Sequence, residues 1–214
     1  MPHVDLIIFD LDGTLVDSRR DLANSVNFAL NALDLPHLEL QEVMSHVGDG
    51  LKKLISRSLP EDRFEIIDEV VDIFRSHYRE HLLDFSTFYP DVEDILNRFL
   101  EKKMAVASNK PYEFTRLILE GLNSDHFFNI ILGGDSLPEM KPEPGPILHI
   151  LNQLNVSADK AAIVGDGTTD MQAGKAAKIW TCAVTYGLKK KEVLLQTKPD
   201  FIIDDLVELK KIFE

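Results

Sequence analysis

Residues 4–14 read VDLIIFDLDGT, an apolar run that ends on Asp10 and is followed by Asp12 beside a glycine. Apolar, β-branched residues bounded by Asp and Gly predict a buried strand that enters a tight loop. The two acids would then lie at the carboxyl end of the strand, where open α/β sheets bind their ligands. Two carboxylates this close repel each other unless a cation lies between them or one keeps a proton. The stretch indicates Mg²⁺ binding and phosphoryl chemistry, with an acidic capping turn as the alternative.

Length, charge and cysteine content narrow the class of protein. The chain has 214 residues, 44% of them apolar and 28% charged, which is typical of a globular protein with one substantial core and a smaller second unit. Its net charge of −13 argues against a nucleic-acid surface, which needs clustered Lys and Arg. We expect no signal peptide and no membrane span, because no apolar run is long enough. Cys182 is the only cysteine, which fits a cytoplasmic protein without disulfides.

Strand and helix patterns alternate after residue 90 but not before it. Apolar runs predict strands near residues 104–108, 129–132, 161–165, 179–184 and 201–203, with helices between them. This alternation predicts an α/β fold with a Rossmann-like parallel sheet and helices on both faces. From 17 to 84 the apolar residues recur at helical spacing only. We therefore predict a discontinuous core of residues 1–16 and 85–214, with an inserted α-helical cap of residues 17–84.

Polar groups follow three further predicted strands or the loops just beyond them. Ser108 offers a hydroxyl, Lys141 stands in a proline-rich turn, and Asp166 and Asp170 offer carboxylates. A lysine suits the oxygens of a phosphoryl group in transfer, and oxygen ligands suit Mg²⁺. Each group alone has an ordinary explanation as a helix cap, a surface lysine or a loop acid. Their order after Asp10 predicts one shared site.

In this order the motifs resemble those of the haloacid dehalogenase superfamily of aspartate-nucleophile phosphotransferases. The matching positions are Asp10-Leu11-Asp12-Gly13-Thr14, Ser108, Lys141, and Gly165-Asp166 with Asp170. With the helical insert, the resemblance covers essentially the whole chain. Shorter signatures are most similar to the phosphoglycolate phosphatase branch: residues 15–18 (LVDS), 47–50 (VGDG), 108–111 (SNKP) and 183–187 (AVTYG).

The resemblance implies a role for each matched residue. Asp10 would be the nucleophile that becomes an aspartyl phosphate, and Asp12 would serve as acid and then base. The implied Mg²⁺ ligands are Asp10, Asp12 through its backbone carbonyl, Asp166 and Asp170, the last as a ligand or an outer partner. The implied substrate-binding groups are Ser108, Asn109 and Lys141.

The expected function is a Mg²⁺-dependent phosphomonoester hydrolase acting on a small phosphorylated metabolite, with 2-phosphoglycolate as the first candidate. Asp12 favours phosphate esters, since dehalogenases and phosphonate hydrolases of the superfamily lack this aspartate. Alternatives within the superfamily are a sugar phosphomutase similar to β-phosphoglucomutase, a pyrophosphatase and a nucleotidase. A non-enzymatic phosphoacceptor domain is a remote alternative. Either a monomer or a homodimer is compatible with the sequence.

Substrate choice is expected to come from cations near the cap loop of residues 46–50. Lys52, Lys53 and Arg57 could reach over the site and bind a substrate carboxylate, or they could form a solvated helix face. Residues 189–191, all lysine, are interpreted as a solvated surface turn. Lys178 stands where relatives usually have glycine at a helix end, so that helix end is expected to differ.

Overall fold

A parallel six-stranded sheet forms the centre of the computed structural model, which describes residues 2–213. The strands of residues 2–213, in chain order, are β1 (Leu6–Phe9), β2 (Val16–Asp17), β3 (Thr87–Phe88), β4 (Lys103–Ala107), β5 (Ile130–Leu132), β6 (Ala161–Gly165), β7 (Trp180–Val184) and β8 (Phe201–Ile203). Strands β2 and β3 form a separate pair outside this sheet. The sheet order is β5-β4-β1-β6-β7-β8, so the strand before Asp10 lies in the middle. The predicted fold class is confirmed.

Helices cover both faces of this sheet. The ten α-helices are α1 (Arg19–Asn31), α2 (Leu40–His46), α3 (Leu51–Ser58), α4 (Ile67–His81), α5 (Val92–Arg98), α6 (Tyr112–Gly121), α7 (Gly145–Leu154), α8 (Thr168–Ala176), α9 (Lys191–Gln196) and α10 (Leu209–Ile212), counted over residues 2–213. Alternate residues of β1 face opposite layers, because side chains alternate along a strand. Ile7 and Phe9 join the apolar cluster that includes α5 and α6, whereas Leu6 and Ile8 join the cluster that includes α7 and α8.

Four helices, α1–α4, lie between two short strands that mark where the chain leaves and rejoins the sheet region. Strands β2 and β3 pair antiparallel, with Val16 opposite Phe88. The sequence did not predict this ribbon, because strands of two residues are too short to show an alternating pattern. The exact bounds of core and cap stay a prediction, and Met1 and Glu214 lie outside the described residues. Within residues 2–213 no helix has the length and apolar character needed to cross a membrane.

A buried carboxylate fastens the two connections between the core and α1–α4. Asp21, near the start of α1, accepts hydrogen bonds from the backbone N–H groups of Phe85 and Ser86, at 3.0 and 2.8 Å. The Ser86 hydroxyl donates a third bond at 2.7 Å. Because Asp21 and Ser86 are buried and all three donors depend on one Asp21 oxygen, these bonds hold the outgoing and returning segments together.

The residue in the left-handed conformation after α8 is a lysine and not a glycine. Lys178 has a φ of 60°, and the N–H of the next residue, Ile179, donates to the Gly174 carbonyl at 3.0 Å. The expectation that this helix end differs was wrong, because the backbone bonds of the turn are kept at the expense of a strained lysine. A left-handed non-glycine residue costs roughly 1–2 kcal/mol.

We expect Lys178→Gly to stabilise the protein by about 0.5–1 kcal/mol. The relief of backbone strain in the folded state outweighs the conformational entropy that the unfolded chain gains with glycine. For a chain of this size the melting temperature would rise by about 1–4 °C. Thermal unfolding followed by circular dichroism measures it. The matched control is Lys175→Gly inside α8, which should lose about 1 kcal/mol instead. A lower melting temperature for Lys178→Gly would contradict the assignment of strain.

Candidate active site

The register of the central strands brings the candidate residues together. Phe9 pairs with Val106 on one side and with Val164 on the other. Asp10 directly follows Phe9, and Ser108 and Asp166 follow β4 and β6 at nearly the same level. Parallel strands end at one edge of a sheet, so residues about 100 to 160 positions apart in the chain become neighbours there.

Lys141 lies between two carboxylates at this edge. Its Nζ is 3.0 Å from Asp10 Oδ1 and 2.5 Å from Asp170 Oδ1. The Lys141 side chain is 2% exposed and that of Asp170 is fully buried. Burial disfavours the ammonium, but the two carboxylates outweigh it and raise the pKa of Lys141. The lysine therefore carries a fixed positive charge beside Asp10.

Three carboxylates lie close together, and Lys141 contacts two of them, Asp10 and Asp170. Asp10, Asp166 and Asp170 each offer an oxygen, and these atoms lie within 4.8 Å of one another. Burial and the charge of Asp170 raise the pKa of Asp10 to about 8, and the same two causes raise that of Asp166 to about 7. Both shifts indicate that Lys141 alone does not stabilise all three carboxylates in their ionised form. Such a set of oxygen donors can hold a divalent metal ion.

The loop after β1 orients Asp166. The Thr14 hydroxyl donates to Asp166 Oδ1 at 3.0 Å, and the Leu188 N–H donates to Oδ2 at 2.6 Å. Gly13 has a φ of 87°, and a Cβ on it would lie 2.3 Å from Asp166 Oδ2. Only glycine permits both this backbone conformation and this close approach. The Asp-Gly-Thr motif therefore places the Asp166 carboxylate as well as making the turn.

Asp12 points to a different set of partners. Lys110 Nζ lies 2.9 and 2.8 Å from its two carboxylate oxygens, and the Ser18 hydroxyl donates to Oδ1 at 2.5 Å. The Lys110 side chain is 4% exposed, and its Nζ lies 4.8 Å from the ring centroid of Tyr78 on α4. Lys110 is not among the site residues predicted from the sequence, although it directly follows Ser108 and Asn109 in the SNKP signature.

Asn109 joins the core to the cap loop. Its Nδ2 donates to the Gly48 carbonyl at 2.9 Å and to the Lys141 carbonyl at 2.7 Å. Both amide hydrogens are therefore used within the protein. The predicted substrate-binding role of Asn109 stays a prediction, and in this structure its amide positions the loop and Lys141.

A cavity of about 140 Å³ opens over these groups. Its polar end contains the predicted residues Asp10, Asp12, Ser108, Asn109, Lys141 and Asp166. Its opposite wall is formed by apolar and aromatic side chains from the cap helices and α6, namely Leu22, Leu54, Phe74, Tyr78 and Phe114. Asp170 lies behind the polar end, through its contact with Lys141.

The cations of α3 do not line this cavity. Lys52 pairs with Asp68 at 2.9 Å on the exposed surface, and Arg57 pairs with Asp49 at 2.6 Å. Lys189 does line it, and its Nζ donates to the Val47 carbonyl at 3.1 Å. The interpretation of residues 189–191 as a solvated turn was wrong for Lys189, because the core loop that carries it meets the cap loop.

Comparisons with known proteins agree with this arrangement. The family model of the haloacid dehalogenase-like hydrolases matches residues 7–184. A phosphoglycolate phosphatase of Chromobacterium violaceum is 37% identical, over 98% of this chain and 96% of that protein. One of Aquifex aeolicus is 36% identical, over 98% and 96%. The crystal structure of a predicted phosphoglycolate phosphatase from Haemophilus somnus superposes with a TM-score of 0.92 at 35% identity, covering 99% of both chains.

Proposed function

Because the chain is a phosphatase that belongs to the haloacid dehalogenase-like hydrolases, we propose that it hydrolyses 2-phosphoglycolate through an aspartyl phosphate on Asp10. The observation that carries the proposal is the pairing of Asp10 with the buried Lys141 at the end of the central strand. Relatives of nearly the same length that are named phosphoglycolate phosphatases support the substrate.

The proposed reaction has two steps. An Asp10 carboxylate oxygen attacks phosphorus, the ester P–O bond breaks, and Asp12 gives its proton to the leaving alkoxide. Asp12 then takes a proton from water, which attacks the phosphorus of the aspartyl phosphate and regenerates Asp10. Lys141 and the Ser108 hydroxyl bind the phosphoryl oxygens, and the lysine reduces the repulsion between Asp10 and the anionic substrate.

We assign Mg²⁺ to the carboxylates of Asp10 and Asp166, which face each other without enough positive charge. When bound, the ion supplies positive charge to the phosphoryl oxygens. Asp170 is placed as an outer partner, since its Oδ1 contacts Lys141 and its Oδ2 accepts from the Gly167 N–H at 2.9 Å. The Asp12 carboxylate points to Lys110, so only its backbone carbonyl is assigned to the metal.

The cavity favours a small substrate. Its volume of about 140 Å³ is below the roughly 300–1,000 Å³ of pockets for drug-sized ligands, which argues against nucleotides. One chain forms the whole cavity, so a monomer or a homodimer would serve, and the single buried Cys182 fits a reducing cytoplasm.

Phosphate release from a panel of phosphate compounds tests the proposal. The panel contains 2-phosphoglycolate, sugar phosphates, nucleotides and pyrophosphate, each with Mg²⁺ and with EDTA, and rates of an Asp10→Asn protein are subtracted. We expect kcat/KM for 2-phosphoglycolate to exceed the others by about tenfold or more, and EDTA to abolish it. Preference for another ester would refute the substrate. Absence of Asp10-dependent phosphate release from every compound of the panel would refute the proposed hydrolase activity.

A further inference from the structure

We propose that Lys110, together with the Tyr78 hydroxyl, binds the carboxylate of the substrate and so determines specificity for small phosphate esters with an acidic tail. This inference rests on the proposed function. The cations of α3, which were expected to bind the carboxylate, face solvent. Lys110 of the core and Tyr78 of the cap both line the catalytic cavity.

Lys110 retains donor capacity beyond its contact with Asp12. Its Nζ lies 2.8–2.9 Å from the Asp12 oxygens, and an ammonium group has three donors. Asp12 is the only acid with which Lys110 forms a salt bridge among residues 2–213. A lysine this deeply buried could therefore bridge Asp12 and a second carboxylate without leaving its position.

Tyr78 supplies a second donor to the same region. The Tyr78 hydroxyl is buried near Lys110 Nζ, and within residues 2–213 no group accepts a hydrogen bond from it. A buried hydroxyl proton without an acceptor costs free energy, so a ligand that accepts its hydrogen bond gains the difference. Because the Tyr78 ring lies beside Lys110 Nζ, the hydroxyl and the ammonium group can donate hydrogen bonds to the same carboxylate.

The chemistry of the leaving group brings the substrate tail to this position. Asp12 must reach the ester oxygen, and in 2-phosphoglycolate the carboxylate is attached to the carbon that bears this oxygen. A group in contact with Asp12 is therefore close to the substrate carboxylate. Lys141 is occupied by Asp10 and Asp170, and Lys189 reaches the cap loop, where its Nζ donates to the Val47 carbonyl. Of the three lysines that line the cavity, Lys110 is the one whose Nζ contacts Asp12.

Substrate selectivity tests the inference. We would measure kcat/KM for 2-phosphoglycolate and for 2-hydroxyethyl phosphate, which has a neutral alcohol in place of the carboxylate. In Lys110→Met the ratio of the two values should fall about 10- to 100-fold, the worth of a hydrogen-bonded charge pair. In Tyr78→Phe it should fall about 2- to 10-fold. Inhibition by the product glycolate should weaken in both variants.

The control is Lys52→Met, which removes the same charge from the cap surface and should leave the ratio within about twofold. If Lys110→Met does not fold, Tyr78→Phe carries the test, since it keeps the ring. Equal losses for both esters would overturn the inference and leave Lys110 as a partner of Asp12 only. If the unmodified protein prefers other esters over 2-phosphoglycolate, the proposed function fails as well, and the two failures are thus distinguishable.

Discussion

An Asp10→Asn protein should lose about 10⁴-fold or more of its phosphatase activity and remain folded, because an amide cannot form the acyl phosphate. Burial and Asp170 raise the pKa of Asp10 to about 8. A neutral group is therefore tolerated at this position, and the melting temperature of the metal-free variant should not fall below that of the unmodified protein. Phosphate release and thermal unfolding measure the two effects.

The matched control for this variant is Asp5→Asn. Asp5 precedes the same strand, but its side chain is 42% exposed and pairs with Lys160 at 3.3 Å on the surface. We expect its activity to stay within about twofold. Acid-quenched turnover should leave covalent phosphate on the unmodified protein and on Asp5→Asn, and none on Asp10→Asn. Recovery of covalent phosphate on Asp10→Asn would assign the nucleophile to another residue.

Replacement of Lys141 should reduce both stability and activity. Lys141→Met leaves the fully buried Asp170 and the neighbouring Asp10 without their cation, and breaking a buried ion pair costs about 3–5 kcal/mol. The melting temperature should fall by roughly 10 °C. Activity should fall about 10²- to 10³-fold, since the charge that stabilises the phosphoryl group in transfer is lost.

The comparison for Lys141→Met is Lys160→Met. Lys160 is half exposed and pairs with Asp5, so its loss should change stability by about 0.5 kcal/mol or less. Circular dichroism melts and phosphate release on both variants separate a buried ion pair from a surface one. Equal melting temperatures for the two variants would show that the buried carboxylates do not depend on the Lys141 charge.

The local pattern of the sequence determined the sheet and the order of the site. The run before Asp10 is apolar throughout, and β1 is buried along its whole length at the sheet centre. Ser108 and Asp166 follow apolar runs that predict strands, and Lys141 stands in a turn that is marked by prolines. These features were predictable because a parallel sheet places every strand end at the same edge, so chain order fixes which loops meet.

Only the tertiary structure decided which cations line the cavity. Lys52 and Lys110 both lie in polar stretches of sequence, yet one pairs with Asp68 in solvent and the other is buried against Asp12 and Tyr78. Lys189 likewise reaches the cap loop from a run of three lysines. Each of these contacts joins segments that are distant in the chain. Helical and strand periodicity in the sequence predicts which side of its own helix or strand a residue occupies. It does not predict which residue lies opposite across the cavity, because that depends on how the cap packs on the core.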